Sequence, residues 1–354
     1  MSETMGFRGA AVAVYGAAGH TGRLVVGELI SRGYRPIAVG RDAASLEGAG
    51  FPEGVALRVA AVHNADALDR AFDGVAAVIN CAGAFLDTAD AVISSALRCG
   101  VHYLDVTAEQ PSARATFETY DRPARDAGVT VIPAMGFYGG FADILATAIL
   151  RGWSHADAID VVIGLDSWHP TKGTRLTGQR NTAPRVVVED GKFAPVSAPA
   201  KERVWTFTAP VGERRVVQLP FSEVIVISRH LSSTSLQTYL SENAQQDVRS
   251  PTTPPPHAVD DKGRSAQRFV VEVVATRGEE RRSVIAQGQD IYTFSAPLIC
   301  EALGQLLQPG FSASGAHAPG AIFDVRALLD ALEREHLDLQ FFDTRSPDRA
   351  VTGG

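Results

Sequence analysis

Cysteine is scarce in this sequence and badly placed for metal or disulfide chemistry. Cys81, Cys99 and Cys300 are odd in number and far apart. That excludes a disulfide framework and a CxxC metal knuckle, and it makes a reducing cytoplasm the expected compartment. Lysine is nearly absent: of 33 basic residues only Lys172, Lys192, Lys201 and Lys262 are lysines. Against 40 acidic residues the formal charge is −7, the wrong sign for a protein that binds nucleic acid. No run of about 18 apolar residues occurs, so no integral membrane segment is expected. Met1–Gly9 has no basic segment leading into an apolar one, so no secretory leader is expected either. The GxxxxGK[ST] pattern of P-loop ATPases is missing. So is a Tyr-xxx-Lys pair, which removes the acid and the lysine of the short-chain dehydrogenase mechanism. His155, His169, His230 and His257 stand apart, without metal-ligand spacing.

What is present is ordinary globular sequence, 354 residues with 45% hydrophobic and 21% charged, long enough for two domains. Over the first 135 residues apolar strands alternate with helices. The strands are Ala10–Tyr15, Pro36–Val39, Leu57–Val62, Val75–Asn80, Val101–Val106 and Val129–Pro133. Asp42 and Asn64 read as helix N-caps, Gly100 as a helix end, and Pro123 as a break or kink in the helix Ala113–Ala127. Apolar strands joined by helices imply a parallel, doubly wound α/β sheet covered on both faces. After the helix Phe141–Leu150 the pattern changes to strands, including Ile159–Leu165, Val224–Ile227 and Phe269–Ala275, with a hairpin turn at Asp190-Gly191. The reading is therefore a Rossmann-type domain over 1–135 and a mainly antiparallel α+β domain for substrate and dimerisation over 136–294. The proline-rich stretch 245–264 reads as a flexible loop. C-terminal helices over 295–340 pack back on the first domain, and a loose tail follows.

The motif with chemical content is Tyr15-Gly16-Ala17-Ala18-Gly19-His20-Thr21-Gly22. It joins the first strand to the first helix. There Gly16 makes the turn, Gly19 lets backbone approach a diphosphate, and Gly22 lets helix and strand pack closely. Ala18, His20 and Thr21 complete the cofactor-binding turn. Arg41 stands just past the second strand, where an NAD site usually carries an acid, so NADP(H) is the expected cofactor. Cys81, Ala82 and Gly83 end the fourth strand and allow close approach of the nicotinamide ribose.

These residues, together with Val78-Ile79-Asn80-Cys81-Ala82-Gly83 and Cys99-Gly100-Val101-His102-Tyr103-Leu104-Asp105-Val106-Thr107-Ala108-Glu109, resemble the saccharopine dehydrogenase-like oxidoreductases, the group that includes trans-acting enoyl reductases. Ile132-Pro133-Ala134-Met135-Gly136-Phe137 resembles the segment where that family leaves its Rossmann domain. The resemblance implies a nicotinamide cofactor and a second domain that often supports a homodimer. It is specific over about residues 12–145, and departs at Ala84, where proline is common, and at Tyr138-Gly139-Gly140-Phe141.

The expected activity is NADPH-dependent reduction of a C=O, C=N or activated C=C bond in a small metabolite or acyl intermediate. The alternative is a regulatory module that senses NADP(H) without catalysis. Tyr138 and His169 are the candidate proton donors, and Arg175 and Phe137 are the candidate substrate-binding residues. Asp105 and Glu109 lie past the fifth strand, either in the site or bracing the loop after it.

Overall fold

The computed structural model describes residues 9–344. Most of the stretch read for a leader, and the end of the tail, lie outside them. The first six strands are β1 (Ala11–Tyr15), β2 (Arg35–Gly40), β3 (Ala56–Val59), β4 (Ala77–Asn80), β5 (His102–Asp105) and β6 (Thr130–Ile132). They form one parallel sheet in the order 3-2-1-4-5-6, extended beyond β6 by the two-residue strand Gly315–Ala316. The strand order reverses between β1 and β4, and a crevice opens there at the strands' carboxyl ends. Along β1, Val12 and Val14 enter one apolar cluster, and Ala11, Ala13 and Tyr15 another. Alternate side chains are thus buried on opposite faces, as a sheet covered on both sides requires.

Local signals set the connections. Ser45 N–H donates to Asp42 Oδ1 at 2.7 Å, and Ala67 N–H to Asn64 Oδ1 at 3.0 Å, so both residues are N-caps. Gly100, with φ +65°, ends the helix Phe85–Cys99. The helix Gln110–Asp126 continues through Pro123 instead of breaking. Pro123 and Thr119, whose carbonyl loses its partner, both lie on the exposed face, open to solvent.

The second sheet is built from β7 (Ala156–Leu165), β8 (Val186–Glu189), β9 (Lys192–Pro195), β10 (Glu202–Thr206), β11 (Glu213–Gln218), β12 (Ser233–Ser241), β13 (Arg268–Arg277) and β14 (Glu280–Gln289). After β15 (Gly315–Ala316) in the first sheet comes β16 (Leu337–Thr344), which pairs with β14 at the second sheet's edge. All its pairings are antiparallel except β7 with β12. The β8–β9 hairpin turns on Asp190 and Gly191, both at positive φ. The helices Ala142–Leu150 and Ile291–Leu306 share an apolar cluster with β7 and β13. Arg32, at the end of the helix His20–Ser31, meets Glu301 at 2.7 Å and ties the second of these helices to the first sheet.

Three sequence readings change. Val224–Ile227 belongs to a helix, Glu223–Ser228, and not to a strand; a short run buried on every side has no period to reveal its type. The first residues of the expected loop 245–264 lie in the helix Glu242–Arg249. Leu337–Thr344, read as the end of the helical region and the start of a loose tail, is the edge strand β16. No helix among the described residues is long and apolar enough to cross a membrane.

Candidate active site

At the end of β1, Gly16 adopts φ +78°. The amides of Gly16 and Ala17 both donate to the Val39 carbonyl of β2, at 2.9 and 3.1 Å. A Cβ on Gly16 would stand 2.9 Å from Ala82, and one on Gly22 only 2.3 Å from the Gly16 carbonyl oxygen. These two positions require glycine on steric grounds. Gly19 is the exposed N-cap of the helix His20–Ser31; no side chain caps that helix and its first turn holds no acid. Its N-terminal amides and positive dipole end are therefore available to an anion, which fits the diphosphate of a dinucleotide. His20 packs edge-on against Tyr292, with ring centroids 5.3 Å apart. Its Nε2 is buried without a partner, and burial pushes the imidazole pKa down, opposed by the nearby Asp290.

Arg41 is exposed immediately after β2, while the Asp42 carboxylate caps the next helix. The acid at the strand end is thus engaged in capping, and an exposed guanidinium stands beside it. Arg41→Ala is expected to weaken NADPH binding by about 1–3 kcal/mol, the scale of a hydrogen bond between charged groups, and to leave NADH binding unchanged. Parallel titrations of the two cofactors check this; equal wild-type affinities would reject it.

The ends of β4 and β5 are joined by a buried polar network. Asn80 accepts from the Ala82 amide at 2.9 Å and donates to the Tyr103 hydroxyl at 3.2 Å. Tyr103 donates to Asp105 Oδ2 at 2.8 Å, and Asp105 Oδ1 takes the amides of Thr107 and Ala134 at 2.9 and 2.8 Å. Glu109 accepts the amides of Phe85 and Leu86 at 2.7 and 3.1 Å, capping the helix Phe85–Cys99 from a distance. Both acids brace the crevice. Burial, with Asp105 nearby, pushes the Cys81 thiol far up, which keeps it protonated.

Burial also pushes Asp105 up to about 6 from 3.8, against the lowering effect of its hydrogen bonds. Between those two values the folded chain holds a proton that the unfolded chain has lost. Stability is therefore greatest below about pH 4 from this group, and falls by up to about 3 kcal/mol as pH rises through 6. Asp105→Asn can keep both amide bonds on Oδ1 and is expected to abolish that fall. Chemical denaturation at the two ends of this window measures it.

Beside the glycine turn lies a cavity of about 790 Å³, lined on one side by Thr21 of the helix His20–Ser31 and by Cys81, Gly83, Val106 and Glu109 from the first sheet's loops. The opposite wall comes from later in the chain. Tyr138 follows the crossover out of β6, and its ring contacts Phe221, with centroids 4.2 Å apart, and Trp168, at 5.2 Å, while Trp168 and Phe221 meet each other edge-on at 6.5 Å. Its hydroxyl is buried and has no hydrogen-bond partner. Burial raises its pKa well above 10.0, with the neighbouring Tyr292 and Glu223 adding to the effect, so the phenol stays neutral. The Trp168 indole N–H donates to Tyr292 Oη at 2.9 Å, and that hydroxyl also bonds Thr174 Oγ1 at 2.8 Å. The helix Lys172–Arg180 roofs the cavity without burying any residue of its own.

Residues 16–117 match a family model described as NAD(P)H-binding. Saccharopine dehydrogenase (L-Glu forming) from Saccharomyces cerevisiae superposes with a TM-score of 0.67 at 13% identity, covering 94% of this chain and 100% of that one. The chain has the saccharopine dehydrogenase fold. Pen from Bacillus thuringiensis (TM-score 0.30, 14% identity, 36% of this chain and 51% of that one) and serine dehydrogenase from Escherichia coli (0.29, 14%, 35% and 80%) are similar over about a third of the chain. No curated protein matches in sequence.

On this saccharopine dehydrogenase fold the candidate residues separate into three places. Gly16, Ala18, Gly19, His20, Thr21 and Gly22 make the turn, and Cys81, Ala82 and Gly83 stand beside it at the β4 end. Phe137, Tyr138 and Arg175 line the cavity. The Arg175 guanidinium is occupied by the carbonyls of Val248 and Thr253, at 3.1 and 2.8 Å. His169 is not among the cavity residues; its Nδ1 meets the Pro254 carbonyl at 3.3 Å. Sequence reasoning missed Arg185 and Phe221. Arg185 lies over the Phe221 ring at 4.8 Å, and burial lowers its pKa against the pull of Glu223. Neither residue sits in a recognisable motif; only the fold brings them to the crevice.

Proposed function

We propose that the chain is an NADPH-dependent oxidoreductase that reduces a C=O, C=N or activated C=C bond of a small-molecule or acyl substrate. The observation that carries this reading is the cavity at the carboxyl ends of β1, β4 and β5, closed on its far side by Tyr138, Trp168 and Phe221. A module that only senses NADP(H) has no need of a cleft of this size beside the cofactor turn. In this reading residues 1–135 hold the cofactor and 136–294 the substrate.

When bound, the nicotinamide supplies a hydride to the carbon of the double bond. The chain's part is to exclude water, to orient the acceptor and to neutralise the charge left on oxygen or nitrogen. Tyr138 does the last: its O–H bond breaks, a new bond to hydrogen forms on the substrate atom, and solvent returns a proton to the phenolate. For a carbonyl the balance is one carbonyl, one NADPH and one proton giving one alcohol and one NADP⁺. His169 reaches this site only by moving, so Tyr138 is the preferred donor.

The test is NADPH consumption with a panel of ketones, imines and enoyl thioesters, alongside NADPH titration. Tight NADPH binding with no consumption across the panel would favour the sensing module. The reading also includes a cytoplasmic homodimer: Phe341 and Phe342 are 40% and 47% exposed on the edge strand β16, an open edge that needs covering. Sedimentation at micromolar concentration is expected to show a species of twice 37.5 kDa; a monomer alone rejects the dimer.

A further inference from the structure

The helix Lys172–Arg180 has little of its own to keep it in place. Its 9 residues include two glycines and a single large apolar side chain, Leu176, which is 43% exposed. No residue of the helix is buried, and a Cβ on Gly178 would meet nothing within 4 Å. A helix this short is marginal on its own propensity, and glycine lowers that propensity further. Its position therefore depends on the groups that touch it.

Those groups are unevenly distributed. At the N-terminal end Thr171 caps the helix by accepting the Thr174 amide at 3.0 Å. The Tyr292 hydroxyl bonds Thr174 Oγ1 at 2.8 Å, and Arg175 donates to the carbonyls of Val248 and Thr253 at 3.1 and 2.8 Å. These partners belong to the wall built from later in the chain. The C-terminal end reaches the other wall. A Cβ on Gly83 would stand 2.9 Å from Thr177 Oγ1, and Arg180 pairs at 2.8 Å with Asp87, in the first turn of the helix Phe85–Cys99. Both side chains of that pair are about half exposed, so water and salt weaken it. Beyond it the chain runs through Thr182, Ala183 and Pro184, all exposed, before β8 begins. One end of the helix is thus tied by several hydrogen bonds, and the other rests on one weak ion pair.

We propose that the helix Lys172–Arg180 is a lid, hinged at Thr171–Arg175 and latched by Arg180 on Asp87, that must swing aside for cofactor and substrate to pass. Thr177 rests on Gly83, beside which the nicotinamide ribose is to lie, so the latched position covers the end of the site where the hydride is delivered. Only the identity of what passes beneath the lid rests on the oxidoreductase reading; the hinge and the latch do not. Segments held by exposed polar contacts open locally far more often than the core does.

Hydrogen exchange of the full chain reads the hinge, and stopped-flow NADPH binding reads the gate. In the free chain the amides of 176–180 are expected to exchange at least about 100-fold faster than those of the helix Ile291–Leu306. Arg180→Ala is expected to speed them about threefold further, the worth of one half-exposed ion pair, and to leave Ile291–Leu306 unchanged. The same variant is expected to raise both the association and the dissociation rate of NADPH about threefold, with the dissociation constant altered less than about twofold. Loss of a cation by itself slows the approach of an anionic cofactor, so faster association has the sign of an opened latch. Asp87→Asn is expected to match Arg180→Ala, and the double variant to add nothing more. Exchange at 176–180 as slow as in Ile291–Leu306, or NADPH rates unchanged in the variants, overturns the lid. A rise in the dissociation rate alone also overturns it, since that makes Arg180 a cofactor contact. No NADPH binding at all, with fast exchange that Arg180→Ala speeds further, sustains the lid and counts against the oxidoreductase reading.

Discussion

Tyr138→Phe is expected to lower kcat by about 10²–10⁴, the usual worth of a positioned proton donor, while the melting temperature stays the same or rises. The two effects have opposite signs for one reason. The Tyr138 hydroxyl is buried and unpartnered in the free protein, and such a group costs the fold on the order of 1–3 kcal/mol. Removing it relieves that cost and leaves the ring against Phe221 and Trp168, where a phenylalanine fits the same space. In the transition state the same hydroxyl meets the developing charge, and its loss is felt there alone. A purely structural tyrosine behaves differently: its replacement lowers stability and leaves turnover per folded molecule intact. Thermal unfolding measured beside kcat, with NADPH affinity as control, separates the two. Full turnover in the variant would remove Tyr138 from the chemistry.

Gly19→Val has the second large effect. Gly19 begins the helix His20–Ser31, and its exposed position leaves room for a ligand. A Cβ there would already lie 3.1 Å from the Gly16 carbonyl oxygen, and a branched side chain would fill the approach to the helix N-terminus. Each hydrogen bond lost to a charged diphosphate is worth about 1.5–3 kcal/mol, so NADPH affinity is expected to fall by at least about 100-fold with the loss of two. Gly19 is in the extended region, at φ −71°, so the fold tolerates the change and the far-ultraviolet spectrum is unaltered. Undiminished binding in a fluorescence titration would place the diphosphate elsewhere.

The first sheet was legible because a strand buried on both faces must be apolar throughout, as Val12–Val14 and Val78–Ile79 are. The glycine turn was legible because it is local: one turn, its spacing and the strand before it lie within a dozen residues. The helix Lys172–Arg180 left no trace, since it buries nothing and so has no apolar period. β12 escaped for a related reason, its sequence STSLQTYLS being rich in polar residues that are nonetheless buried between neighbouring strands. The cavity is the least legible part. Phe85, Tyr138, Trp168, Phe221 and Tyr292 come from five separate segments, and no spacing records that they share a wall. Among the donor candidates, sequence proximity to the crossover favoured Tyr138 and a turn next to tryptophan suggested His169; geometry brings only the first to the cavity.

The strand Gly315–Ala316 has a consequence for how the chain comes into being. It completes the first sheet beside β6, with Thr130 Oγ1 donating to the Ala313 carbonyl at 2.6 Å, yet it lies roughly 180 residues downstream. At about 5–20 residues per second of synthesis, β6 emerges from the ribosome some 10–40 s before its neighbour exists. During that interval its outer edge offers unpaired amides and carbonyls to any passing strand. The nascent chain must therefore shelter that edge, or be sheltered by a chaperone, until Gly315–Ala316 has been made.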